Sequence, residues 1–136
     1  MLPVYSRARI LLATSLWWES GSRVLAEAML NAIPAIVTDN GGNAEMIGEG
    51  GITIALPARY HEKPYAERFT PELLDQFVRH IVQLYDNEPL YHDYTGRSGA
   101  AGAKLHKMDN SVRKLIDALD GLITWNTGNY CGYRVW

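Results

Sequence analysis

Two glutamates, Glu19 and Glu27, lie eight residues apart, with Ser20, Gly21, Ser22, Arg23 and Val24 between them. An ionised carboxylate accepts hydrogen bonds from hydroxyl groups and donates none. If every step from Glu19 to Glu27 were helical, the two acids would stand about 12 Å apart along the axis. Gly21 and Ser22 fall where a helix would begin, and the first N–H groups of a helix lack partners within it and favour an anion. The hydroxyls of Ser20 and Ser22 add donors. The arrangement suits a ligand with hydroxyls at both ends and a diphosphate between, the layout of a nucleotide sugar. A plainer reading gives Glu19 to the helix dipole and leaves Glu27 solvated.

A second candidate edge follows at Asp39-Asn40-Gly41-Gly42. It reads as a tight turn in which glycine supplies positive φ, and an ordinary hairpin turn fits it equally. Glu45 is a third acid nearby, suited to capping, loop fixing or sugar contact. Trp17 and Trp18 read as core and rim of the same site, since bulky aromatics pack before they recognise anything. Gly96, Gly99 and Gly102 recur every third residue, do not match a dinucleotide fingerprint, and predict close helix approach.

These residues need a scaffold. Ile10 to Ala13 is continuously apolar and reads as a strand buried on both faces of a parallel sheet, as do Ala35 to Val37 and Ile52 to Leu56. Between the first two, Val24, Leu25, Ala28, Met29 and Ala32 recur at helical spacing and predict a helix from about Ser22 to Asn31 with Glu27 off its packed face. A short turn at Asn43 to Ile47 leads to the third strand. Thr70-Pro71-Glu72 opens the clearest helix, carrying Leu73, Leu74, Phe77, Val78, Ile81, Val82 and Tyr85 on one face. Asn87 caps a second, and Val112, Leu115, Ile116, Leu119 and Leu122 mark a third, starting near Asn110 or Ser111. Arg59 to Phe69 reads as a long surface loop. The fold class is α/β, with a Rossmann-like parallel sheet flanked by helices.

Composition sets the outer bounds. A chain of 136 residues, 47% hydrophobic and 21% charged, supports one globular domain and not two. Its net charge of −2 offers no basic field for nucleic acid. The clusters Arg7 with Arg9, and Lys104, Lys107, Arg113 and Lys114, read as solvated faces. Cys131 is the sole cysteine and the four histidines are scattered, so no metal site is expected. Arg7 and Arg9 before Ile10 to Trp18 imitate a signal peptide until Glu19 and Arg23 interrupt it. The expected location is cytoplasmic, at most peripheral to a membrane. An incomplete sheet would leave an edge open to a second copy.

The stretch from Ser15 to Glu45 resembles the signature of the group 1 retaining glycosyltransferase family: two glutamates in the E-x7-E spacing, Glu27-Ala28-Met29, a small residue before Pro34, an apolar strand, and Gly41-Gly42-Asn43-Ala44-Glu45. The resemblance covers Ile10 to Leu56 closely and continues loosely to Leu122. It implies the two-domain GT-B fold, with this chain as the later part of the donor domain over residues 1–122 and a tail of unassigned role at 123–136. It further implies that Glu19 lies by the donor sugar as the catalytic-site acid, that Glu27 holds the ribose, and that backbone N–H groups from Gly21 to Val24 meet sugar and phosphates. Ser20, Ser22, Arg23, Gly41, Gly42 and Glu45 complete the donor-binding set. The implied donor is a nucleotide-diphosphate sugar, with no metal or other cofactor, and transfer would retain anomeric configuration. The acceptor domain would be supplied upstream or by a partner chain. Many members read E-G-F-G-L where this chain has Glu19-Ser20-Gly21-Ser22-Arg23, so sugar preference does not carry over. A non-catalytic module of the same fold, assembling with a partner, is the alternative.

Overall fold

The computed structural model describes residues 2–106 and 108–129. Three parallel strands, β1 (Leu11–Ala13), β2 (Ala35–Thr38) and β3 (Gly51–Ile54), lie in the order β1-β2-β3. Leu11 pairs with Ala35 and Ala35 with Gly51, so one register crosses the sheet. Helices α1 (Leu2–Tyr5), α2 (Arg23–Leu30), α3 (Asn43–Ile47), α4 (Pro71–Asp86), α5 (Glu88–His106) and α6 (Met108–Asn129) surround or extend it.

Alternation along β2 divides the core. Ile36 joins Ile54, Leu56, Tyr60, Leu73, Phe77 and Leu84 on the α4 side, while Ala35 and Val37 join Leu25, Met29 and Ile47 beneath α2 and α3. Successive strand side chains point to opposite faces. β2 is therefore buried throughout, as a central parallel strand must be, and apolar up to Thr38 at its carboxyl end. The two edge strands depart from the same expectation: Leu12 on β1 and Thr53 on β3 are exposed, Leu12 at an opening that it shares with Ile81 and Tyr85 of α4.

The helix signals hold at their starts. Thr70 accepts from the Leu73 N–H at 3.4 Å, with Pro71 in the first turn, and Asn87 accepts from the Leu90 N–H at 3.0 Å. The apolar face read for α4 is split, however. Leu73 and Phe77 are buried, while Leu74, Val78, Val82 and Tyr85 lie exposed as a second stripe. Helix α6 begins at Met108, earlier than expected, and Val112, Leu115, Ile116 and Leu119 on it are about half exposed. The expected Arg59–Phe69 loop holds part of a short 3-10 turn, Ala58–His61, whose Tyr60 is buried beside Phe69 in the core. The tail from 130 onward, with Cys131, lies outside the described residues, as does Lys107.

The glycine series on α5 acts at two of its three positions. A Cβ on Gly102 would stand 2.6 Å from the Met29 carbonyl carbon, and one on Gly99 would stand 3.1 Å from Ala32 Cβ. Gly96 has open space around it, so close packing does not explain it. Ser98, fully buried between them, donates to the Ile33 carbonyl at 2.8 Å and locks α5 to the turn that ends α2.

Candidate functional site

The segment after β1 is an arch whose feet are tied to the end of β2. Thr38 Oγ1 donates to the Ser15 carbonyl at 2.6 Å, the Asn40 amide to the Leu16 carbonyl, and the Gly42 N–H to the Glu19 carbonyl at 2.6 Å. Glu19 and Gly41 form an isolated parallel bridge, extending the sheet past its last regular residue. Gly41 takes φ of 79°, and a Cβ there would meet the Glu19 carbonyl oxygen at 2.2 Å, so glycine is required twice over. Gly42 is confined likewise by the Ser20 carbonyl oxygen at 2.5 Å. The two glutamate-bearing motifs are thus one backbone unit at the carboxyl edge of a parallel sheet, where open α/β folds gather ligands.

Behind the arch, helix α2 starts at Arg23, so Glu19 to Ser22 is not helical and the all-helical separation of Glu19 and Glu27 does not apply. Ser22 occupies the cap position with extended backbone, and its hydroxyl makes no capping bond. No acidic residue stands in the first turn. Glu27 sits one turn into α2, half-buried and bound: the Tyr5 hydroxyl donates to its Oε2 at 2.7 Å. That hydrogen bond raises the Tyr5 phenol above its ordinary pKa, because the proton is shared with an acceptor that would repel a phenolate. Val24 does not join the buried face of α2. It is exposed and lines an apolar pocket of about 230 Å³ with Val4, Tyr5, Ala8, Leu11, Ala28 and Ile33. Arg23 and Glu45 are exposed, Glu45 in the first turn of α3.

With this edge described, similarity to known proteins can be placed on it. The profile described as glycosyl transferases group 1 matches residues 2–98, which includes the arch, α2 and the β2 turn. The chain belongs to the group 1 glycosyltransferase family. It is also 35% identical over 82 residues to spore coat protein SA of Bacillus subtilis (strain 168), a match covering 60% of this chain and 22% of that protein. No solved structure matches the chain.

In this group 1 glycosyltransferase domain, Trp17 and Trp18 overturn the expectation that one of them packs in the core. They are 65% and 60% exposed at the crest of the arch, and Trp17 meets Tyr65 with ring centroids 5.3 Å apart. Several bracing residues escaped sequence reading. Asp39 accepts from the Leu56 N–H at 2.9 Å, and His61 reaches both Asn40 Oδ1 at 3.3 Å and the Leu56 carbonyl at 3.2 Å. Only the position of Asp39 and Asn40 just past a strand could have signalled this. Arg9 is engaged away from the site. It pairs with Glu88 at 2.7 Å and lies over the Tyr91 ring at 3.9 Å, pinning the approach to β1 onto α5. The opening of about 290 Å³ that Arg9 lines with Arg7, Ile10, Leu12, Ile81 and Tyr85 lies towards the amino end of β1, opposite the arch. Among the described residues no helix is long and apolar enough to cross a membrane.

Proposed function

We propose that this domain binds the nucleotide-diphosphate-sugar donor of a retaining glycosyltransferase. The observation that carries the reading is the joining of the Glu19 backbone to Gly41 and Gly42, which ties the residue bearing the first carboxylate to the sheet edge a few residues before the uncapped start of α2. In this reading the diphosphate lies against N–H groups from Gly21 to Val24, where the helix dipole favours negative charge. Ser20 and Ser22 offer hydroxyls, and Arg23 offers a positive charge. Glu19 accepts hydroxyls of the donor sugar and Glu27 those of the ribose, with Gly41, Gly42 and Glu45 forming the far wall. A carboxylate at either end and none between keeps like charges apart.

The matched relative is far longer, since this chain spans 22% of its length. Transfer, in this proposal, is the work of a larger protein in which an acceptor-bearing part faces the arch. The part read as donor domain is residues 1–122. The second reading, a module that assembles with a partner, draws on the exposed Leu12 and the outer α4 stripe.

Calorimetric titration with UDP- and GDP-sugars tests the donor reading. Glu27→Gln keeps shape and removes the charge, and a charge-assisted hydrogen bond to a sugar hydroxyl is worth about tenfold in affinity or more. Unchanged affinity overturns the assignment. Tyr5→Phe separates the two uses of Glu27: if Tyr5 must release the carboxylate before the ribose binds, the variant binds the donor about three- to tenfold tighter. Weaker binding would instead make Tyr5 a positioning residue that orients Glu27.

A further inference from the structure

We infer that Trp17, Trp18 and Tyr65 form a platform that stacks on a pyranose ring of the acceptor, which makes the acceptor a carbohydrate. The inference rests on the transferase reading above and assigns the part of the reaction that reading leaves open. Large aromatic side chains bury 150–250 Å² each when they pack, so two adjacent tryptophans left 65% and 60% exposed are informative where a lone exposed leucine is not.

Their exposure is built into a fixed support. The residues on both sides are tied down: Ser15 and Leu16 through Thr38 and Asn40, and Glu19 through Gly42. The Trp17 N–H also donates to Ser15 Oγ at 3.2 Å. Tyr65 arrives from a different segment, with φ of 60°, a conformation uncommon outside glycine, and its N–H donates to the Glu62 carbonyl at 2.9 Å. Trp17 and Tyr65 meet at 60°, tilted and not stacked face to face. A surface held in this way loses little freedom when a ligand lands on it.

The chemistry beside the rings selects the occupant. A pyranose presents a face of C–H groups, faintly positive, and a rim of hydroxyls. The electron-rich face of an aromatic ring matches the first, and hydrogen-bonding groups at its border match the second. The polar groups nearest in the chain are Glu19 and Ser20, which follow Trp18 directly, and the phenol of Tyr65, whose ring meets Trp17. A lipid surface would want a different border. The charged residues flanking Tyr65 comprise Arg59, Lys63 and Arg68 against Glu62 and Glu67, with Arg59 already 3.9 Å from Glu67, which leaves an excess of one positive charge, far short of the polybasic cluster that anionic headgroups attract. Glu19 also places the platform next to the proposed donor-sugar position, where an acceptor hydroxyl must arrive.

The test uses the full chain with maltotriose, cellotriose and N,N′,N″-triacetylchitotriose, followed by NMR of the tryptophan indole N–H signals. At least one trisaccharide should shift the Trp17 and Trp18 signals saturably. Trp17→Leu and Trp18→Leu should each weaken that binding about tenfold or more, while Trp17→Phe and Trp18→Phe, which keep an aromatic face, should retain most of it. Glu27→Gln should leave trisaccharide binding in place while weakening the nucleotide sugar, so the two readings fail separately. The platform is overturned if no trisaccharide binds, if leucine serves as well as phenylalanine, or if the tryptophans instead drive binding to phosphatidylcholine vesicles.

Discussion

Gly41→Ala is expected to destabilise the domain by about 2–4 kcal/mol and to free Glu19 from the sheet edge. Two costs combine. An L-residue in the left-handed region loses about 1–2 kcal/mol, and Gly41 sits at φ of 79°. The added methyl would also stand 2.2 Å from the Glu19 carbonyl oxygen and 2.6 Å from its nitrogen. Both are backbone atoms in a segment already held through Thr38, Asn40 and Gly42, so no side chain can swing away, and overpacking of this kind costs about 1–3 kcal/mol. Urea unfolding should show a lower midpoint at unchanged slope. Donor affinity should fall even where the variant remains folded, because the arch can relieve the clash only by leaving the β2 turn. Gly48→Ala, with φ of 47°, ψ of −123° and open space around the position, is a clash-free comparison whose whole cost is backbone strain, and it should leave donor affinity in place. Retained donor affinity in folded Gly41→Ala would mean that the arch does not press on Gly41.

The scaffold was legible wherever one physical signal acted alone. The continuous apolar run at Ala35 to Val37 could serve only a strand buried on both sides, and the Thr70-Pro71 and Asn87 starts were fixed by local hydrogen bonding. Reading failed where the outcome depended on what lies alongside. Leu12 carries the same apolar signal as Ile36, yet one is exposed and the other buried, because the packing of the helices, which composition does not encode, covers β2 fully and leaves an opening at Leu12. Likewise Val78 and Phe77 are both apolar on α4, and only the sheet's position decides which is covered.

The candidate site divides in the same manner. The spacing of Glu19, Glu27, Gly41 and Gly42 was readable, but the reason for the two glycines was not: they admit the protein's own arch. Trp17 and Trp18 misled because hydrophobicity predicts burial, whereas both feet of their segment are bound to β2 and lift the crest clear. Tyr5 could not have been assigned to Glu27 at all, since the contact joins residues 22 positions apart through the folding back of α1.

Gly102→Ala and Gly96→Ala should move stability in opposite directions, although both lie in α5. In a helix interior alanine is favoured over glycine by about 1 kcal/mol, through the smaller entropy it loses on folding. At Gly96 nothing lies within reach of the new methyl, so that gain should appear almost whole. At Gly102 the methyl would stand 2.6 Å from the Met29 carbonyl carbon, 2.7 Å from its oxygen and 2.9 Å from the Leu30 nitrogen. Those atoms belong to the last turn of α2, and Met29 itself is fully buried, so relief requires α5 to move away from α2 as a body. Such a shift would open the contact of Gly99 with Ala32 and the bond from Ser98 to Ile33, whose loss adds about 1 kcal/mol. The clash and the lost bond together outweigh propensity, giving a net loss of about 2–3 kcal/mol. Thermal unfolding of the two variants checks the opposition directly. A stabilised Gly102→Ala would show that α5 does not rest on the backbone of α2, and with it would go the close contact that seats α2 beneath the arch.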